Sequence, residues 1–149
     1  MRHSRRWLAI LGLLVALPQL PACTQTSAEA TGGVEPAKVE HVEGSDDLSR
    51  LTLTPRAVER LGIQTKPVLV GKVGNATRRV VPYGALLYDA KGDTWVYVNP
   101  APLDYVREPV TVDHIEGDQA VLSNGPPAGT RVVSVGAAEL YGTETGVGH

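Results

Sequence analysis

The sequence predicts a mainly β domain, a small antiparallel sandwich or barrel with one short helix. Three observations lead there. About seven short runs rich in Val, Leu, Ile, Tyr and Trp follow one another at the spacing of an antiparallel sandwich. Glycine and proline, 16 and 11 residues of the 149, stand between these runs, where they punctuate strands. Only one stretch, opening with Thr54-Pro55, carries the start chemistry of a helix. The hydrophobic content of 42% is ordinary for a globular chain of one domain. With no Phe, five Tyr and two Trp, the core has to be built mostly from Val and Leu.

Residues 1–22 have a basic start (Arg2, Arg5, Arg6), an apolar run from Trp7 to Leu17, and then small residues. That is the pattern of an export signal, and the run is short for a membrane span. The single cysteine follows in Leu20-Pro21-Ala22-Cys23, which resembles the lipobox of bacterial lipoproteins. The resemblance implies cleavage before Cys23 and a diacylglycerol on its thiol, two chains being what stable attachment requires. The alternative is an ordinary signal peptide followed by an unrelated cysteine. Residues 23–47 are rich in Ser, Thr, Gly, Ala and Glu without apolar periodicity, and are expected to form a flexible tether. The folded domain is expected over 48–144, with 145–149 as a tail.

Within the domain, Leu48 to Leu53 ends in a short alternating strand. Thr54 is placed to cap a helix, Pro55 suits its first position, Ala57, Val58 and Leu61 share one face, and Gly62 closes it. Arg56, Glu59 and Arg60 are left on the solvated side. Ile63 to Val73 is strand-like, with Pro67 marking an edge or bulge. A tight connection around Lys72 to Ala76 leads to a strand over Thr77 to Val81.

After a break at Pro82-Tyr83-Gly84, Ala85 to Tyr88 and Thr94 to Val98 form a hairpin about the polar tip Asp89 to Asp93. Along its second arm Trp95 and Tyr97 point to one face, Val96 and Val98 to the other. Asn99 to Pro102 is expected as a rigid turn. Tyr105 to Ile115 reads as a strand with Val106, Val110 and Val112 inward and Pro109 at an edge or bulge. Gln119 to Leu122 and Arg131 to Val135 complete the set.

Chemistry is hard to place on this chain. It has no glycine-rich phosphate loop and no paired-His metal spacing, and Asp113 and His114, as strand neighbours, are expected on opposite faces and away from a triad with Ser123. The formal charge is −2. Without residues 1–22, whose three Arg face no acid, eleven basic residues stand against sixteen acidic ones, a charge of −5. A nucleic-acid partner is therefore not expected. The chain is expected not to be an enzyme and to need no cofactor.

LTLTPRAVERLGIQTKPV, VVPYGALLYDAKGDTWVYV, YVREPVTV and PPAGTRVVSVGAAELYGTE, in that order, resemble the periplasmic adaptor subunits (membrane fusion proteins) of resistance-nodulation-division efflux systems. The resemblance spans Leu51 to Glu144. It departs at one place: the lipoyl-like domain and long helical hairpin of the family are replaced by about a turn around Gly71 to Ala76. It implies that the first and last blocks meet in an adaptor membrane-proximal-like domain.

From this follows the expectation of a lipid-anchored module of the cell envelope, facing the periplasm or cell exterior, that binds an inner-membrane efflux transporter and is compatible with an oligomer. Arg60 and Lys91 are candidate partner contacts. Trp95, Tyr97, Tyr105 and Arg107 are candidates on condition that they face outward, the competing assignment placing Trp95 and Tyr97 in the core. The alternative functions are a self-standing lipoprotein binding a metal ion or small solute through His41, His114 and His149, or a remnant of a longer adaptor.

Overall fold

Alternation along the hairpin arm sorts the chain into layers, because both of its faces are covered. The structure, a computed structural model, describes residues 35–45, 47–73 and 75–146. The expected signal segment, Cys23, the start of the tether and His149 lie outside them. The described elements are, in order, β1 (Ala37–His41), β2 (Ser49–Leu53), α1 (Pro55–Leu61), β3 (Gln64–Pro67), β4 (Leu69–Val73) and β5 (Ala76–Pro82). A 3-10 turn over Tyr83–Ala85 precedes β6 (Leu87–Tyr88), β7 (Thr94–Ala101), β8 (Asp104–Pro109), β9 (Thr111–Glu116), β10 (Gln119–Asn124), β11 (Arg131–Val135) and α2 (Ala137–Thr145). The protein is mainly β, and every strand pairing is antiparallel.

A seven-stranded sheet runs β1-β2-β8-β7-β11-β3, and β6 shares the β11 side of β7, nearer its start. A four-stranded sheet runs β4-β5-β10-β9. On one side of the large sheet, Leu51, Leu53, Tyr97, Tyr105 and Val133 pack with Ala57 of α1 and with Ala137 and Leu140 of α2. On the other side, Val96, Val98 and Val132 meet Val81, Ala120 and Leu122 of the small sheet. The order of layers is helices, large sheet, small sheet. Consecutive residues Val96 and Tyr97 are both fully buried, each in a different core, as strand geometry dictates.

The helix α1 starts and stops as its sequence specifies. Thr54 Oγ1 accepts a hydrogen bond from the Ala57 amide at 3.2 Å. Gly62, at φ 64°, turns the chain out through the left-handed region, its amide reaching the Glu59 carbonyl while Ile63 N–H reaches that of Val58. Two turns are marginal alone, so it is packing through Ala57 that holds this helix.

Two strands expected as continuous are each split between the sheets, at Pro67-Val68 and at Pro109-Val110. Each proline ends a strand of the large sheet and each following valine is buried, at 1% and 7% exposure, in the core between the sheets. Proline brings no amide to a ladder and restricts the residue before it, so pairing stops there. The valine then anchors the corner: Val68 N–H donates to Thr130 O (2.8 Å) and Val110 N–H to Thr94 O (2.9 Å).

Other expectations are corrected in detail. Ala37–His41 is not tether but strand β1, paired with β2 from Ala37 opposite Leu53 to His41 opposite Ser49. It shows little apolar periodicity because backbone pairing forms it, and only Ala37 reaches the core. β7 continues through Asn99 and Pro100 to Ala101, where a turn was expected. A second helix, α2, occupies residues expected within the closing strands. It begins at Gly136, φ 91°, where an added Cβ would lie 2.3 Å from Ile63 Cδ1.

If the proline-valine corners fix the two sheets together, Val68→Ala and Val110→Ala should each cost about 2 kcal/mol in denaturant unfolding. Val39→Ala, on the exposed face of an edge strand, should stay within about 0.5 kcal/mol.

Candidate functional site

On the helix-facing side of the large sheet, β7 and β8 present Trp95, Tyr97, Tyr105 and Arg107 in alternation. Four of the six candidate contact residues are therefore on one face, but it is an inner face. Tyr97, Tyr105 and Arg107 are buried and Trp95 is half-buried, so the condition that would make them partner contacts is not met. Arg60 in the last turn of α1 and Lys91 at the hairpin tip are exposed.

What joins Tyr97 and Arg107 is a residue not among the sequence candidates, Glu144 in the last turn of α2. Arg107 Nε donates to Glu144 Oε2 at 2.8 Å and Nη2 to Oε1 at 2.9 Å. This two-pronged pair is nearly out of solvent, at 8% and 3% side-chain exposure. The Tyr97 hydroxyl donates to Oε2, and the Ser49 amide to Oε1 at 3.2 Å. Arg107 also donates to the carbonyl of Asp47 at 2.7 Å. The guanidinium lies 4.9 Å from the centre of the Trp95 ring and 5.4 Å from that of Tyr141. Among the described residues, every buried side-chain nitrogen and oxygen has a hydrogen-bond partner.

Electrostatics follow from this packing. Burial works against the Arg107 charge, but the hydrogen bonds and charge of Glu144 outweigh it and raise its pKa. Burial, reinforced by the adjacent Glu144 carboxylate, pushes the Tyr97 phenol far above the ordinary tyrosine range. At the hairpin tip, Asp89 accepts from the amides of Lys91 and Asp93 at 2.9 Å each and from the Trp95 indole at 3.0 Å. Desolvation acts to raise its carboxyl, but these donors and the nearby Lys91 charge prevail and hold it below the usual value.

The cluster binds the protein to itself. Its acidic half could have been found from the sequence: Ala137, Leu140, Tyr141 and Glu144 fall at helical spacing in GAAELYGTET. Its basic half stands out as a charge in phase with Tyr105 on an apolar strand face.

The histidines of the alternative function are not brought together. His41 is exposed on β1, His114 is exposed on β9, and His149 lies outside the described residues. Among the described residues, no three His, Cys, Asp or Glu side chains gather as a metal site. Asp113 and His114 do meet, at 3.1 Å, contrary to the expectation of opposite faces, on a strand whose pairing is bulged. Ser123 instead donates to the Thr111 carbonyl, so no triad results. No described helix is long and apolar enough to cross a membrane.

Removing one partner strands a buried charge, so Glu144→Ala should destabilise the protein by about 3–5 kcal/mol. The Arg107→Met, Glu144→Leu double variant should recover much of that loss in equilibrium unfolding. Tyr97 adds a pH dependence. Because its folded-state pKa lies above the unfolded value of about 10, its contribution is complete below that pH and falls as pH rises beyond it. Tyr97→Phe should cost about 1 kcal/mol at neutral pH and flatten the alkaline limb of a stability–pH curve.

No protein-family model matches the chain, and no curated protein matches it. Among solved structures, the chain is similar to a 180-residue segment of SilB from Cupriavidus metallidurans CH34, solved by NMR, that encompasses the N-terminal metal-binding site and the membrane proximal domain of that protein. Identity is 26%, the match covers 56% of this chain and 48% of the other, and the TM-score is 0.45. The chain thus spans about half the length of the segment it matches.

Proposed function

We propose that this chain is a lipid-anchored, extracytoplasmic adaptor-like module that binds an inner-membrane efflux transporter and performs no chemistry. The observation that carries this reading is the strand order of the large sheet. Strands β2 and β3 of the first block flank β8, β7 and β11 of the last. The efflux-adaptor resemblance of the sequence implies that union of first and last blocks. A second feature bears on what the module can do. β4 and β5 form a hairpin with Val73 opposite Ala76, at the place where adaptors of that family carry their lipoyl-like domain and helical hairpin.

Two intervening residues cannot hold a projection, since a helix advances only about 1.5 Å per residue. The module therefore docks on its transporter without bridging to an outer-membrane channel. A lipid at Cys23 would confine it beside the transporter, so that a weak contact suffices. The exposed basic residues Arg60 and Lys91 are the contacts proposed for it.

A photo-crosslinking residue in place of Arg60 or Lys91, activated in native membranes, should capture an inner-membrane pump subunit. Cys23→Ser should abolish the adduct and release the chain from the membrane fraction. Recovery of no transporter, together with tight binding of zinc or copper by the purified chain, would favour the ligand-binding lipoprotein instead.

A further inference from the structure

Apart from the two-residue β6, the two sheets end in four edge strands among the described residues, and three of them are protected against further pairing. β1 carries Lys38, Glu40 and His41, β9 carries Asp113, His114 and Glu116, and β3 holds Lys66 and ends on Pro67. Charges and proline are the usual means of keeping an edge from pairing. β4 differs. Its residues are Leu69-Val70-Gly71-Lys72-Val73, it pairs only with β5, and Leu69 and Val70 are 54% and 58% exposed. At its start, a pocket of about 140 Å³ is lined by Pro67, Leu69, Val80 and Pro82 together with Lys66 and Asp118. That is close to the roughly 150 Å³ that accommodates a benzene ring, and so is ample for one branched aliphatic side chain.

We infer that β4 is a strand-addition site for an extended, acidic segment of a partner polypeptide, with one apolar side chain of that segment seated in the pocket. Main-chain pairing to an open edge gives affinity, and a pocket at alternate positions gives selectivity. The charge around the edge identifies the occupant. Lys66, Lys72 and Arg78 are exposed beside it, and among the described residues none of them pairs with a carboxylate. Asp118 is the only acidic side chain lining the pocket.

This basic edge belongs to a chain whose formal charge is −2. A second copy fits poorly, because pairing β4 with β4 would bring two sets of Lys66, Lys72 and Arg78 together. The edge lies in the small sheet, not in the layer of α1, and it does not depend on the transporter contact proposed above.

The test uses the full-length chain in detergent and a fluorescent seven-residue peptide of alternating glutamate and valine, followed by anisotropy. The peptide should bind, while a lysine–valine peptide and a glutamate–valine peptide with a central proline should not. Lys72→Glu should weaken binding by about two- to fivefold, the effect of one exposed ion pair, and Arg56→Glu, at an exposed position on α1, should leave it unchanged. Amides of β4 should gain protection from hydrogen exchange when the peptide is present. Absence of binding, equal binding of the lysine peptide, or indifference to Lys72→Glu would overturn the proposal. So would a concentration-dependent dimer abolished by Val70→Lys, which would assign the edge to a second copy.

Discussion

The pairing of Arg107 with Glu144 is the constraint on which the rest of the structure depends. It fastens the last turn of α2 to the middle of the large sheet and, through Ser49 and Asp47, to the start of the domain. A glutamate at the end of a helix is opposed by the helix dipole, and α2 has no side-chain cap at its start. Its own sequence therefore gives α2 little reason to persist. A dry guanidinium beneath its end, held between two aromatic rings and one carboxylate, supplies that reason. The same contact covers the inner face that Leu51, Tyr97 and Tyr105 present. In this way the terminal helix is part of the core and not an appendage.

Much of the architecture was legible because it is written locally. Thr54, Pro55 and Gly62 fix α1 without reference to anything distant. The alternation of Trp95 to Val98 assigns each side chain to its face. What local pattern could not show was that both faces are buried, since Tyr97 suits a core and a binding surface equally well. The prolines at 67 and 109 announced an interruption, yet whether a chain bulges or crosses to another sheet depends on what receives the next residue. Here Val68 and Val110 find the same inter-sheet core. β1 was illegible for a different reason: an exposed edge strand needs a neighbour's backbone and few apolar residues of its own.

The cluster was half visible. From the sequence Arg107 is a candidate partner contact, conditional on facing outward. Its partner lies 37 residues away in sequence, in a segment that resembled the family's closing strands and was read by that resemblance. Charge pairs across such separations leave no periodic trace. Each half has its own local signal, and the rule that buried charges require partners is what would join them. The exposed candidates Arg60 and Lys91 belong to features the sequence defined well, a helix terminus and a hairpin tip. Their chemistry is generic, so their role rests on position.

The layers also divide the surface into faces of different character. The helical side is closed by an internal ion pair, while the small sheet ends in the apolar strand β4 bordered by Lys66, Lys72 and Arg78. Whether α2 is integral to the fold is answered most directly by native-state hydrogen exchange on the unmodified chain. If Arg107 and Glu144 bind α2 into the cooperative core, the Leu140 and Tyr141 amides will exchange only through global unfolding, with the same opening free energy and denaturant dependence as Val96 to Val98. Exchange of the α2 amides through a low-energy opening, with β7 still protected, would contradict it.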